Sequence, residues 1–453
     1  MADTSALAPA SYGQLQSPQT VVNHDNIVEI GTSVRTEGLK QYNGGKEQSK
    51  IPRFPANLRG FGRSRDYIAP RTVAIGPYHH VKPELHAMEE VKRDLQAMEE
   101  VKRTAVDLFF QGSDERGACE EMMIPIARDA RGYYADSNAL AGITDDEFCT
   151  MMFVDGCFLV QFLYYMICTN EETSWLGTII QQQYICIMRD IMLLENQIPW
   201  PVIEFFMRRR GLPMEKIISW LTLAFIDESC LEEIEVVKIE EGYKPSHLLC
   251  LLYLCNVGNK QVGELPRSAN ALSLSTGAAE LAEMGMKLKQ CKTRKVSDMN
   301  IEKGLFFGKL YLMPLSLDSS NACWLVNMAA FEMCTAASFK NENYLNAYLS
   351  IVAVLMDKEE DVGELNARRI VSSSMDNGQT FEFFKDLVQN LMPGQAYYRL
   401  IHALEDYQQK RRVWIAIYRF FYKNMKKIIA VLSVVGVLVG IVKGLLPLNS
   451  KQK

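Results

Sequence analysis

The sequence predicts a mainly helical body, a single large one with a few short strands, followed by one C-terminal transmembrane helix. Apolar residues recur at steps of three and four over much of the chain. Nothing shows the regular alternation of strands and helices that is typical of a doubly wound sheet. Near the end, residues 428–448 read IIAVLSVVGVLVGIVKGLLPL. This is the only stretch that we judge apolar and long enough to cross a hydrocarbon core of about 30 Å.

Changes in composition divide the chain into four parts. Residues 1–50 are polar and rich in Ser, Gly, Gln and Asn, which predicts a disordered or loosely attached segment. Residues 51–425 form the predicted helical domain, 426–448 the membrane anchor and 449–453 a short tail. At the start of the domain, IPRFPANLR and YIAPRTVAIGPYHH contain too many prolines for helices, so we expect extended chain that wraps a core.

A long helix is predicted from Pro83, and it contains a tandem duplication. The heptapeptide AMEEVKR occurs at 87–93 and again at 97–103. Apolar residues keep steps of three and four through both copies, which predicts one continuous apolar stripe. The duplication is therefore interpreted as a helix lengthened by about 15 Å rather than as a functional repeat.

The rest of the domain reads mostly as helix after a polar connection that follows the duplicated segment. The strand candidates are IEVVKIEE at 234–241 and LFFGKLYLMPLSLD at 305–318. Helices are predicted at about 145–169, 179–209, 214–227, 245–256, 277–291, 321–338, 341–357 and 380–391, with an amphipathic stretch over 395–425.

The C-terminal apolar run has the features of an interfacial anchor. Lys443 lies toward its C-terminal end, where a lysine can extend its ammonium to the head groups. A basic and aromatic collar precedes the run and places the body in the cytosol by the positive-inside tendency. The predicted anchor residues are Ile428, Leu432, Val435, Gly436, Gly440 and Val442. The collar residues are Arg412, Trp414, Lys423, Lys426 and Lys427. A buried core helix is the alternative interpretation of this run.

Three glycines of the run share one helix face, because Gly436, Gly440 and Gly444 are spaced by four residues. Small residues at this spacing let two membrane helices approach closely. Self-association through this face is therefore a hypothesis, beside the simpler interpretation that glycine is common in membrane helices.

Composition limits the compartments and the classes of partner that the sequence allows. The chain carries 49 Lys and Arg against 54 Asp and Glu, for a net charge of −5, which argues against a general nucleic-acid binder. Its 11 cysteines are scattered singly, which predicts reduced thiols. No N-glycosylation sequon and no signal peptide is found, in agreement with a cytosolic body.

The sequence contains no recognisable motif for catalysis, cofactor binding or metal binding. His79, His80, His86 and Glu89 fit no standard zinc spacing, so no metal site is predicted. GLFFGK at 304–309 is too short between its glycines for a phosphate loop. One polar cluster in an apolar setting is either a buried network that orders the core or a catalytic carboxylate pair. It consists of Asp190, Glu195, Asn196 and Gln197.

Several blocks together resemble the plant domain-of-unknown-function family 247. They are IGPYHH at 75–80 with the following MEEVK, VDGCFLVQF at 154–162, RDIMLLENQIPWPVI at 189–203, HLLCLLY at 247–253, RSANAL with AAELAEMGMKLK at 267–289, LYLMPLSLD with LVNMAAFE at 310–332, and EDVGEL at 360–365. The duplication and Val81, where the family usually has glycine, depart from the pattern.

The resemblance implies a plant protein of unassigned biochemistry that is anchored by its C-terminus. Some relatives are implicated in self-incompatibility, which implies recognition rather than catalysis, and no catalytic residue carries over. We therefore expect a membrane-bound protein with a cytosolic body, no cofactor, no nucleic acid and an unknown protein partner. The alternative is an uncharacterised enzyme with a polar site near Asp190 and Glu195 or near His79 and His80.

Overall fold

The computed structural model describes residues 50–60, 67–80, 89–111, 114–168, 175–223, 225, 243–258, 277–291, 295–304, 307–335 and 342–449. The predicted loose segment before Lys50 lies outside these residues. So do the strand predicted at 234–241, His86, and the tail after Asn449.

Helices dominate the described residues and confirm the predicted fold class. In chain order they are α1 Pro77–His80, α2 Glu89–Phe109, α3 Arg116–Ala130, α4 Asp145–Cys168, α5 Trp175–Ile191, α6 Trp200–Arg210, α7 Met214–Thr222, α8 Leu248–Val257, α9 Ala278–Glu283, α10 Ser319–Thr335, α11 Tyr344–Leu355, α12 Glu359–Ala367, α13 Asn377–Val388, α14 Gly394–Lys410 and α15 Arg412–Asn449.

The strands are short and form two small sheets. They are β1 Met286–Gln290, β2 Asn300–Lys303, β3 Gly308–Leu312, β4 Leu315–Leu317 and β5 Val371–Ser373. In the first sheet the order is β1-β3-β2, with β1 parallel and β2 antiparallel to β3. In the second, β4 and β5 pair in parallel. The predicted strand over 305–318 is thus two strands that belong to different sheets.

Helix α4 packs against α2, α3, α6 and α7. It begins with a reciprocal cap, in which Thr144 and Glu147 bond to each other's backbone N–H groups. Farther along, Gly156 lies so close to α6 that an added Cβ would stand 2.8 Å from the ring of Phe206. Only a residue without a side chain allows this crossing distance, which explains the glycine in the VDGCF block.

Two predicted helices were wrong in their extent. The stretch over 179–209 is broken between Ile191 and Trp200, because Pro199 and the polar side chains before it end α5 and start α6. The helix predicted at 277–291 ends at Glu283. Gly285 has a φ of +79°, and the following MKLKQ alternates between buried and exposed side chains as strand β1.

The connection predicted as polar chain contains helix α3. Its buried side chains stand at steps of three and four, at Cys119, Met123, Ala127 and Ala130. Pro125 inside the helix and the charged residues around this narrow stripe hid the pattern. GPYHH also differs from the expected extended chain, because Pro77–His80 forms one helical turn.

The two copies of the duplicated heptapeptide have different surroundings in α2. In the second copy, Met98, Val101 and Lys102 are buried, whereas Val91 and Lys92 in the first copy are only half-buried. Because ten residues rotate a helix by about 80° from a whole number of turns, the copies cannot face the core equally. The second copy therefore provides the core contacts.

Two helices of the described chain are long and apolar enough to span a membrane. One is α4, and 67% of its apolar window is buried inside the protein, so it is a core helix that passes the same test. The other is the segment Asn424–Ile441 of α15, of which nothing is buried. The prediction that only the C-terminal run is long and apolar enough to span a membrane was wrong. The two helices differ in burial, because α4 lies in the core and the C-terminal segment does not.

Candidate functional site

The C-terminal part of α15 is an apolar surface that no described part of the chain covers. Leu432 and Val435 are exposed by 63% and 47%. Gly436 and Gly440 have no atom within 4 Å of an added Cβ, and Ile428 is half-buried. Val442 and Gly444 lie in the helix, but their surroundings are outside the described residues. A contiguous exposed apolar surface of this length is typical of a membrane or protein interaction site, because each exposed apolar side chain costs hydrophobic free energy.

The predicted collar lies on the turns of α15 that precede this surface. Arg412, Lys426 and Lys427 are exposed, as is Trp414 with 54%. The surroundings of Lys423 are outside the described residues, although its backbone is helical. The collar residues therefore form a basic and aromatic stretch of one continuous helix.

The base of α15 is docked on the body at several points. Tyr418 packs edge-on against Phe307, with ring centroids 5.4 Å apart, and Arg419 lies 3.6 Å from the Glu283 carboxylate. One helical turn or more before them, Arg411 donates to the backbone carbonyl of Gly304. The helix is thus held by the first sheet and by α9.

A second constellation is the buried polar network around the turn between α5 and α6. Asp190 is fully buried, and its Oδ2 accepts backbone N–H bonds from Arg71, Thr72 and Val73 at 2.6–3.0 Å. The Arg189 guanidinium lies 3.1 Å from Oδ1. Burial raises the pKa of the Asp190 carboxyl, and Arg189 together with the three N–H groups opposes that rise. This carboxylate fixes the extended segment before α1.

The two amide side chains of the turn satisfy backbone groups that the break in the helix leaves open. Asn196 accepts from Ile75 N and donates to the carbonyls of Val73 and Asp190. Gln197 donates to two further carbonyls at the end of α5 and accepts from Leu249 N. These bonds replace the intrahelical partners that the end of α5 lacks.

Glu195 is the charged centre of the same turn. Its Oε1 accepts from Phe54 N at 2.7 Å and from Arg59 at 2.8 Å, and its Oε2 accepts from Arg53 at 2.9 Å. Arg53 also bonds to Asp136 at 3.0 Å. Both carboxylate oxygens are therefore bonded to the chain itself, and a proton-transfer role would require these bonds to break.

The predicted histidine site is not a cluster. His80 is exposed, whereas the Nε2 atom of His79 is shut off from solvent and has no hydrogen-bond partner among the described residues. Burial lowers the pKa of His79 to about 4, with the Glu195 charge opposing, so the ring is neutral at pH 7. Among the described residues, no group of three or more potential metal ligands is found.

A buried ion pair between α2 and α4 was not predicted from the sequence. Lys102 and Asp155 are exposed by 1% and 2%, and their Nζ and Oδ1 atoms are 2.6 Å apart. Lys102 also donates to the carbonyl of Ala74, and Asp155 accepts from Gly76 N. Burial lowers the pKa of Lys102, but the carboxylates of Asp155 and Glu99 outweigh it and leave this pKa raised. A lone aspartate inside the apolar VDGCFLV was the available signal.

Glu332 is a further buried carboxylate, placed at the N-terminus of α11. It accepts from the hydroxyl of Tyr253 at 2.5 Å and from the backbone N–H groups of Leu345 and Asn346 at 3.0 and 2.7 Å. Burial raises its pKa, and these bonds oppose the rise. The carboxylate satisfies orphan donors of the helix and joins α8, α10 and α11.

The fold and the exposed helix define a mainly helical protein with a candidate C-terminal membrane span and a core ordered by buried carboxylates. The chain belongs to the DUF247 family, described as plant protein of unknown function, whose model matches residues 51–439. No solved structure matches it.

Two relatives from Arabidopsis thaliana belong to the uncharacterised UPF0481 proteins. The chain is 24% identical to "UPF0481 protein At3g47200" over 377 residues, which cover 77% of this chain and 74% of that protein. It is 33% identical to "Putative UPF0481 protein At3g02645" over 199 residues, or 42% of this chain and 34% of that protein. These names assign no activity.

Proposed function

We propose that this protein is a membrane-tethered recognition or signalling module with a cytosolic body. The observation that carries the proposal is the exposed apolar part of α15, of which none is buried although it is long enough to span a bilayer. Residues 426–448 are its anchor, and the collar is its interfacial boundary. The basic side of the collar supports a cytosolic body.

The buried carboxylates of the polar network are hydrogen-bonded within the protein, which supports a role in recognition rather than in catalysis. Glu195 and Asp190 hold the segment before α1 through bonds to their own chain. Exposed apolar side chains, by contrast, are present on the body, at Met122 on α3 and Ile185 on α5, which are 48% and 51% exposed. Such side chains are available for contacts with a protein partner.

Deletion of residues 426–453 tests the anchor. We expect the full chain to stay in the membrane pellet after an alkaline carbonate wash and the deleted chain to move to the soluble fraction. Replacing 428–442 with an unrelated leucine-rich segment of equal length is the matched control and should restore pelleting. A deleted chain that still resists extraction would contradict the anchor.

Proximity labelling of the full and deleted chains tests the recognition role. Proteins that only the full chain labels would identify the compartment to which the tail directs the protein. A protein that both chains label would be a candidate partner of the body. Failure of either chain to label any protein more strongly than a membrane-targeted control would count against recognition.

We also propose that two copies of the chain associate through the glycine face, which consists of Gly436, Gly440 and Gly444. Gly436 and Gly440 are open and point to one side of the helix. Gly440→Ile should abolish cross-linked dimers in vesicles, whereas Val431→Ile on the opposite face of the helix should leave them. Dimers that persist in Gly440→Ile would refute association through this face.

A further inference from the structure

The outward face of the first sheet is basic. Strand β1 turns Met286 and Leu288 inward and Lys287 and Lys289 outward, since successive side chains point to opposite sides. In register with them on β3, Lys309 and Tyr311 are the next side chains of the same face. We call Lys287, Lys289, Lys309 and Tyr311 the basic sheet face.

This face adjoins the base of the anchor helix. The Nζ of Lys287 lies 4.5 Å above the ring centre of Phe307, and the Phe307 ring packs edge-on against Tyr418 of α15. Phe307 is 37% exposed, so a cation and two aromatic rings follow one another from the sheet to the helix. This contact fixes the level of the sheet along the anchor.

The first sheet lies close to the bilayer when the membrane-spanning segment begins at Ile428. Ile428 lies nine positions after Arg419, which contacts Glu283, and nine helical steps correspond to a rise of about 14 Å. The head-group layer occupies about 5–7 Å of it on each side of the bilayer. The remaining distance is about the Debye length of roughly 8 Å at physiological ionic strength, so charges of the body feel the lipid surface.

The neighbouring acidic side chains are already paired. Glu302 bonds to Lys309, and Asp406 bonds to both Lys303 and Lys410. Lys287 and Lys289 are exposed, and no carboxylate of the described residues lies within ion-pair distance of either. Lys287 and Lys289 therefore leave two unpaired positive charges on the basic sheet face, although the whole chain carries −5.

We propose that the basic sheet face docks on the phosphate head groups of an anionic lipid surface. The proposal rests on the proposed membrane anchor, which brings the bilayer to this end of the body. Two contacts, the transmembrane helix and the sheet face, then fix the orientation of the body and present its far side to partners. Lys287 and Lys289 supply the attraction, and Phe307 lies beside them at the interface.

The test uses the full chain and a mixture of two vesicle populations, one of phosphatidylcholine and one that also contains phosphatidylserine. A basic side chain near an anionic leaflet contributes about fivefold to partition. We expect the protein to prefer the anionic vesicles and the K287E/K289E variant to lose this preference by about tenfold or more. The matched control, K92E/K216E, alters two lysines on α2 and α7 and should keep it.

Acetylation of lysines, read by mass spectrometry in each vesicle population, is the second measurement. Lys287 and Lys289 should react severalfold more slowly in anionic than in neutral vesicles, while Lys216 reacts equally in both. Equal rates at Lys287 and Lys289, or equal loss of preference in both double variants, would overturn the docking proposal. A chain that enters neither population would instead refute the anchor.

Discussion

Replacement of Lys102 by methionine should destabilise the body by about 3–5 kcal/mol. The Lys102 ammonium and the Asp155 carboxylate are 2.6 Å apart and almost fully buried. Methionine is similar in length and fills the space, so the main loss is electrostatic. The Asp155 charge remains buried, and among the described residues Gly76 N–H is then its hydrogen-bond donor. This loss is a large part of the 5–15 kcal/mol that is typical of folded domains.

The duplication supplies the matched control. Lys92 holds the same place in the first copy that Lys102 holds in the second, but its side chain is 32% exposed and bonds to the exposed Glu89. Lys92→Met should therefore change the free energy of unfolding by no more than about 0.5 kcal/mol. The two variants differ only in which copy of the heptapeptide carries the same substitution.

Urea unfolding of the full chain in detergent at pH 7, followed by circular dichroism, measures both variants. In the Lys102→Met background, Asp155→Asn should recover part of the loss, because a neutral amide no longer needs a counter-charge and still accepts from Gly76 N. Equal midpoints for Lys102→Met and Lys92→Met would refute the assignment of the core contact to the second copy. A double variant with no recovery would refute the buried pair as the cause.

Three further predictions follow from the same structure. Gly156→Ala should cost about 1–3 kcal/mol of unfolding free energy, because the new Cβ would lie 2.8 Å from the Phe206 ring; an unchanged urea midpoint would contradict this. His79 and His247 have folded pKa values lowered by burial to about 4 and about 3, so the unfolded chain binds protons first and stability falls as the pH drops from about 6.5 toward 4. Each histidine contributes about 1.4 kcal/mol of unfolding free energy per pH unit in this window. His247→Asn should therefore flatten the dependence of the urea midpoint on pH between pH 7 and 5. An unaltered slope would show that His247 is not a cause of the pH dependence. Leu438→Arg, at the centre of the run, should weaken carbonate-resistant membrane retention, since a central arginine costs about 2.5–3.5 kcal/mol of insertion, whereas full retention would argue against Leu438 lying inside the span.

Much of the architecture follows from local patterns. The apolar periodicity predicted α4, α8, α10, α11 and α13 within three residues of their observed bounds, because each buries an apolar face. For α7 it predicted the start, but the helix ends at Thr222 rather than at 227. The predictions failed where a local signal competed with periodicity. Gly285 ends α9 and lets β1 begin, and Pro199 divides the helix predicted over 179–209.

The polar cluster at 190–197 could be found in the sequence, but its role could not. Adjacent acidic and amide residues in an apolar run are compatible with a catalytic pair or with an ordering network. The donors that occupy Asp190 and Glu195 come from residues 53–73, more than a hundred positions away. Periodicity within one segment contains no information about partners at that separation.

The sequence by itself determined the helical class, the apolar C-terminal run with its collar, and the family. The first two depend on composition and on spacing within about twenty residues, and the family resemblance depends on short blocks distributed from residue 75 to residue 365. Only the tertiary structure decided which of two helices of similar hydropathy is core and which is exposed, and which copy of the duplicated heptapeptide faces the core. Both answers depend on what packs against a helix, and the contacts that decide them join residues far apart in the chain.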